Sequence, residues 1–236
     1  KYNTAKSMIL SGDLKNANEI IENLQVKYKD VPANLSQVNY LQAIYYDEKK
    51  DNKSSLNLYY NVIKDFPSAI PSSDASFKIG KFYESKNDYL NALKYYRFST
   101  EQSSAGSYYR EAYQKSATFK RYFELRAIIT GTEINTEYDT EFKKKTTKDF
   151  QLDGDQNKDP VKGLDNGKSG GQISVMLLDS IINTDSVFVV KEDTVEAYRK
   201  KVASAKFELA ELFLYDLNRA DSSEIYLKEA LNESND

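Results

Sequence analysis

Three stretches of this chain superimpose on one another, and that self-similarity constrains its fold more than any other feature. They are GDLKNANEIIENL from Gly12, DNKSSLNLYYNVIKDFP ending at Pro67, and NDYLNALKYYRFS from Asn87. Each carries a small residue (Ala17, Ser55, Ala92), a large apolar or aromatic residue four places on (Ile21, Tyr59, Tyr96) and a further residue three beyond (Leu24, Val62, Ser99). A second small residue stands 12 positions before each of these: Ala5, Ala43 and Gly80, which are 38 and 37 residues apart. A period of this length means stacked helix pairs. Small residues then sit where two helices cross closely, and aromatic side chains fill the space beside the crossing. In such an array function lies on a surface made by several repeats, so no single motif has to carry it.

Composition narrows the field. With 236 residues, 40% hydrophobic and 29% charged, the chain can bury a sizeable core but is too polar for a membrane bundle. No apolar run approaches the roughly 18 residues of a membrane span. There is no Cys, His or Trp, which removes disulfides, thiol nucleophiles, Cys or His zinc sites and every His-based triad. A net charge of −3 argues against a broad nucleic-acid surface. The chain opens at Lys1, without Met and already inside a helix pattern, so a mature fragment of a longer protein is expected.

The repeat resembles the tetratricopeptide repeat (TPR). In that family helix A carries a small residue followed three later by an aromatic, and helix B carries Ala, an aromatic and a small residue, often with a closing Pro. Ala43 with Tyr46, Gly80 with Tyr83, and Asn87-Asp88-Tyr89 with Ala92 and Tyr96 match residue by residue, and Pro67 closes the second unit. Met8 replaces the usual aromatic in the first unit, and the third lacks the Pro. The implied fold class is all-α: a TPR-like α-solenoid of antiparallel helix pairs with a long polar insertion.

Three segments are expected. Residues 1–132 form helical repeats ending in a long helix over 108–129, where Ala117 stands at the next scheduled small position but no turn follows. The repeat there is either degenerate or fused into one helix. Residues 133–195 form a polar, partly disordered insertion rich in Lys, Asp, Asn and Gly. Its apolar pieces at 173–182, a short helix or strand, and 187–190 are expected to fasten it to the array. Residues 196–236 form a last pair, with Ala210 and Phe213 on its first helix, a turn at Asn218-Arg219-Ala220-Asp221 one residue longer than the others, and Ser223, Leu227 and Ala230 on its second. The phrase AELFLYDLNRADSS, within 205–227, is similar to terminal repeats of bacterial cell-envelope TPR proteins. Endings such as Phe66-Pro67 resemble the outer-membrane assembly lipoproteins of the BamD type and YbgF-like periplasmic proteins, and the chain as a whole resembles envelope TPR proteins of this kind or the TPR lipoproteins of secretion and gliding systems.

Several local strings imitate sites. Asp153, Asp155, Asn157 and Asp159 alternate as in a calcium loop, but Lys158 replaces the turn Gly and Leu164 the closing carboxylate. GLDNGKS, from Gly163, lacks the glycine spacing of a phosphate-binding loop. Lys143, Lys144, Lys145 and Lys148 read as a solvated basic run. No cofactor and no metal site is expected. The tyrosine pairs Tyr45-Tyr46, Tyr59-Tyr60 and Tyr95-Tyr96 place Tyr46, Tyr59 and Tyr96 in the core and their neighbours nearer a surface, where inter-repeat packing and partner binding are the two uses open to them.

The resemblance implies that helix A lines a concave groove. Its positions carry over to Tyr40, Ile44 and Asp47, to Phe77, Lys81 and Glu84, and to Phe207 and Glu211. The Lys and Asn clamp that chaperone-binding members use for a C-terminal carboxylate is absent: Tyr40/Ile44 and Phe77/Lys81 stand there. The expected function is a non-catalytic scaffold for protein partners in a bacterial envelope assembly, secretion or motility complex. Its expected place is the periplasmic side of the outer membrane, or else the cytoplasm, with any lipid anchor outside this stretch and no nucleic-acid partner. The alternative is an enzyme- or sensor-associated domain using 133–195 as its site.

Overall fold

The computed structural model describes residues 1–131 and 192–235, and every regular element among them is helical. The 133–191 part of the expected insertion, with its calcium-like string, glycine loop, lysine run and apolar pieces, lies outside the described residues. Seven helices precede it: α1 Tyr2–Leu10, α2 Leu14–Tyr28, α3 Pro32–Glu48, α4 Asn52–Asp65, α5 Ile70–Ser85, α6 Tyr89–Gln102 and α7 Tyr109–Thr130. After it come α8 Glu192–Glu211, a π-helical segment Leu212–Asp216 and α9 Ala220–Asn235. Helix thus resumes at Glu192, slightly before the expected boundary at 196. The described residues form two compact units, 1–116 and 117–131 with 192–235, and α7 contributes to both.

In the first unit consecutive helices pack on one another, and α1 also packs on α3 and α3 on α5. All the small residues singled out by the period are buried: Ala5 and Ala17, Ala43 and Ser55, Gly80 and Ala92. The closeness is sharpest at Gly80, where a Cβ would lie 2.9 Å from Cδ1 and Cε1 of Tyr96. Two core clusters result. One gathers Ala5, Ile9, Ala17, Ile21, Val38 and Leu41, the other Tyr40, Leu56, Tyr59, Val62, Ile79 and Tyr95, and Ile44 packs against both.

The turn inside each pair is the same three times. Gly12, Lys50 and Asn87 adopt positive φ (82°, 60° and 58°), and the Asp that follows each one serves both helices. Its N–H closes the outgoing helix by donating to a carbonyl five residues back: Asp13 to Met8, Asp51 to Tyr46, Asp88 to Tyr83. The N–H before it donates to Ile9, Asp47 and Glu84 respectively, which completes a Schellman motif. The Asp side chain then caps the incoming helix, accepting from the N–H of Asn16 (3.4 Å), Ser54 (3.1 Å) and Asn91 (3.2 Å). An apolar pattern alone would leave these helix ends with unsatisfied backbone groups.

The second unit corrects one expectation. Its turn is not longer than the others: Asn218 has φ 52°, Arg219 follows, and α9 begins at Ala220, the same sequence of positions as in the earlier turns. The additional residue lies upstream, between Ala210 and Asn218, and is absorbed by the π-helical segment, whose Leu217 N–H reaches back to the Leu212 carbonyl at 3.1 Å. Ring contacts join the π-helical segment to α9 and to α7. Phe213 stacks on Tyr226 at 5.5 Å and meets the edge of Tyr122 at 5.9 Å, while Arg126 Nη1 donates to the Tyr226 hydroxyl at 2.7 Å. α7 itself is one unbroken helix, and Ala117 is exposed while Ala112 is buried, so no crossing forms at the scheduled place.

Two substitutions test this account. Gly80→Ala gains roughly 1 kcal/mol of helix propensity but overfills a crossing at a cost of about 1–3 kcal/mol, so a net loss on urea unfolding is expected. A gain would show that Tyr96 can swing aside. Lys50→Gly relieves a left-handed backbone in an open turn and should raise stability by about 0.5–1 kcal/mol, and a loss would contradict the turn geometry.

Candidate functional site

The surface expected to hold partners is carried by α3 and α5 of the first unit, with Tyr40, Ile44, Asp47, Phe77, Lys81 and Glu84, and by α8 of the second, with Phe207 and Glu211. Tyr40 and Phe77 are not exposed on it. They are 5% and 1% accessible, and their burial corrects the expectation that they serve as open aromatic anchors. The Phe77 ring lies parallel to that of Tyr108 at 4.4 Å and packs on Tyr96 at 5.5 Å, while Tyr40 packs on Tyr59 at 5.7 Å. The helix following each position covers its ring. Tyr pairs behave likewise: Tyr60 and Tyr95 are buried with Tyr59 and Tyr96, and in the first pair it is Tyr45 that is buried and Tyr46 half-buried. Inter-repeat packing is therefore the use these rings are put to.

Asp47 and Glu84 occupy equivalent positions in successive pairs and do equivalent work. The Tyr59 hydroxyl donates to Asp47 Oδ2 at 2.6 Å, and the Tyr96 hydroxyl donates to Glu84, which also pairs with Lys115 at 2.7 Å. In the first pair Ile9 and Ile21 stand at these two positions and both are buried, so acceptor and donor are replaced together by apolar side chains. Burial, then the neighbouring Asp47, pushes the Tyr59 phenol well above its ordinary value, and burial followed by the Glu84 hydrogen bond does the same at Tyr96. Both hydroxyls are thus neutral donors. Lys81 is exposed, lies 5.7 Å above the Phe77 ring and reaches Glu111 at 3.8 Å.

Sequence reasoning missed Asp74, which is buried at 5% exposure on α5. Its carboxylate accepts from the Ser107 N–H at 2.6 Å and the Ser107 hydroxyl at 2.8 Å, tying the segment ahead of α7 to α5. Desolvation raises its pKa above the ordinary carboxylate value, partly offset by these bonds. Tyr40 and Tyr108 feel its charge, and Lys6 on α1 opposes it. The only signal in the sequence was an acid inside the otherwise small and apolar run IPSSDASF. The arrangement holds helices in place; it pairs no two carboxylates across a cleft, and among the described residues no group of three or more Asp and Glu is placed to hold a metal.

In the second unit, Phe207 is 49% exposed, and Glu211 is exposed and lines a shallow cleft. No helix among the described residues is long and apolar enough to cross a membrane. Comparison of the chain with family models, curated proteins and solved structures found no match in any of the three.

Asp74 supplies a pH test. An acid whose folded pKa is raised holds its proton more tightly folded than unfolded, so it lowers stability as pH rises from the unfolded value of 3.8 through the folded one. Urea unfolding from about pH 4 to about pH 6 should therefore show the wild type losing stability relative to Asp74→Asn. A difference independent of pH would mean that Asp74 ionises as it does in the unfolded chain.

Proposed function

We propose that this chain is a non-catalytic, TPR-like α-solenoid scaffold that holds protein partners. The observation that supports the reading most is the repetition of one construction: buried small residues at each crossing, the same left-handed turn, and the same Asp serving two helices. Such an array exposes a broad surface shared by successive A helices. The polar groups chemically suited to act there, Asp47, Asp74 and Glu84, are committed to bonds that hold helices together. What that surface offers a partner is its charged layer, with Lys6 and Lys81 exposed and Lys81 lying over the Phe77 ring. Placement in a bacterial envelope assembly, secretion or motility complex rests on the likeness of residues 205–227 to terminal repeats of envelope TPR proteins.

The test is quantitative co-purification from the native cells with mass spectrometry. Lys6→Glu with Lys81→Glu should reduce recovery of the partner proteins by about tenfold, the scale of one lost charge contact at each position. Lys64→Glu, on α4, should leave recovery unchanged. Equal recovery by both variants, or no protein recovered by the wild type, would count against the reading.

A further inference from the structure

The second unit contains a cleft of about 300 Å³ that the scaffold reading does not itself explain. Leu125 of α7 and Leu212 are the buried residues that line it, and Arg121, Glu208, Glu211, Tyr215 and Asp216 complete its lining. Its volume is at the lower end of the roughly 300–1,000 Å³ usual for small-molecule pockets, which suits one docked side chain better than a cofactor. The additional residue in the π-helical segment lies between Ala210 and Asn218, so it sets the register at which Tyr215 and Asp216 meet Glu211 at the cleft. Single π-helical insertions recur at functional sites.

Among the described residues, one ring and two charges of the lining have no internal use. Arg121 is satisfied by Glu208 and by Glu124 at 3.2 Å, and Glu208 is answered by Arg121 in turn. The Glu211 and Asp216 carboxylates make no ion pair or hydrogen bond among the described residues. The Tyr215 side chain is 76% exposed, more than any other large hydrophobic residue among the described residues of this unit. An apolar floor, an open aromatic face and two unanswered carboxylates, all in one cleft, complement a long cation with an aliphatic stem.

We infer that this cleft docks an arginine-bearing segment of a protein partner. The guanidinium stacks on Tyr215 and donates to Glu211 and Asp216, and the stem covers Leu212. Arginine is favoured over lysine because its planar, weakly hydrated head can stack and donate at once. The class of occupant rests on the scaffold reading; the cleft's preference for a cation does not.

Fluorescence anisotropy on the full chain tests it with two labelled peptides, Gly-Leu-Arg-Leu-Arg-Leu-Gly and the same peptide with Glu in place of Arg. The arginine peptide should bind at least about tenfold tighter than the glutamate peptide, and more weakly as salt is raised. Tyr215→Ala, and separately Glu211→Gln with Asp216→Asn, should each weaken it by about fivefold or more with an unchanged helical spectrum, since all three side chains are exposed. Lys6→Glu with Lys81→Glu should leave peptide binding as it is. Equal binding of the two peptides, or unchanged binding by the cleft variants, overturns the inference. So does a tenfold gain on deleting 143–148, which would make the chain's own lysines the occupant, or a cleft-dependent dimer on sedimentation. Loss of peptide binding with native partners still recovered would sink the cleft and spare the scaffold; peptide binding with no native partner recovered would sink the scaffold.

Discussion

The close crossing of the two helices in each pair is the constraint from which the rest of the first unit follows. At Gly80 the backbone of α5 approaches the Tyr96 ring so nearly that a single methyl group would collide with it. That approach is possible only because small residues occupy the crossing, and it obliges a large residue beside them to fill the space left over. Tyr59 and Tyr96 fill it with rings, Ile21 with an aliphatic chain, and all three are buried. A ring brings a hydroxyl with it, and a buried hydroxyl needs a partner. Hence Asp47 and Glu84 appear where the tyrosines do, and Ile9 appears where Ile21 does.

The turns answer a second demand of the same construction. Two helices lying close together at a short connection expose eight backbone groups between them, four carbonyls and four N–H groups. One left-handed residue followed by one Asp answers three of them, because their two N–H groups close one helix while the Asp side chain caps an N–H of the next. Lys50 shows how strongly the turn is imposed, since a lysine accepts a φ of 60° there. The last pair keeps the left-handed residue and the length of the turn, with Arg219 in place of the Asp, and takes up its additional residue in the helix instead. A π-helical segment costs hydrogen-bond geometry over one turn, whereas a distorted connection would leave both helix ends unsatisfied.

These commitments shape what the protein is fitted to do. On the A-helix side the buried polar groups are spent on internal bonds, including the Asp74 bridge to Ser107, so the surface left for a partner is made of exposed charges over packed aromatics. A face of that kind suits recognition by charge and shape, and it is the basis of the scaffold proposal. In the second unit the balance differs: among the described residues the side chains of Glu211, Tyr215 and Asp216 stay outside the internal network, and the docking proposal grows from that surplus.

By itself the sequence determined the helical class, the register of the first three pairs and the identity of every crossing residue, because a close approach forbids large side chains and so leaves a periodic trace. It also placed Asn87-Asp88 at a turn, although the double duty of the Asp became visible only with both helix ends in view. Which aromatics face solvent was decided by tertiary structure. Tyr40 and Phe77 lie on the expected face, but the neighbouring rings of Tyr59 and Tyr108 cover them, and no pattern within one helix records what another helix lays over it. The burial of Asp74 was decided in the same way, by a loop distant in sequence supplying the donors it needed. The additional residue before Asn218 was countable in the sequence, yet its place in a π-helical segment was a choice between two local costs that only the packed pair could settle.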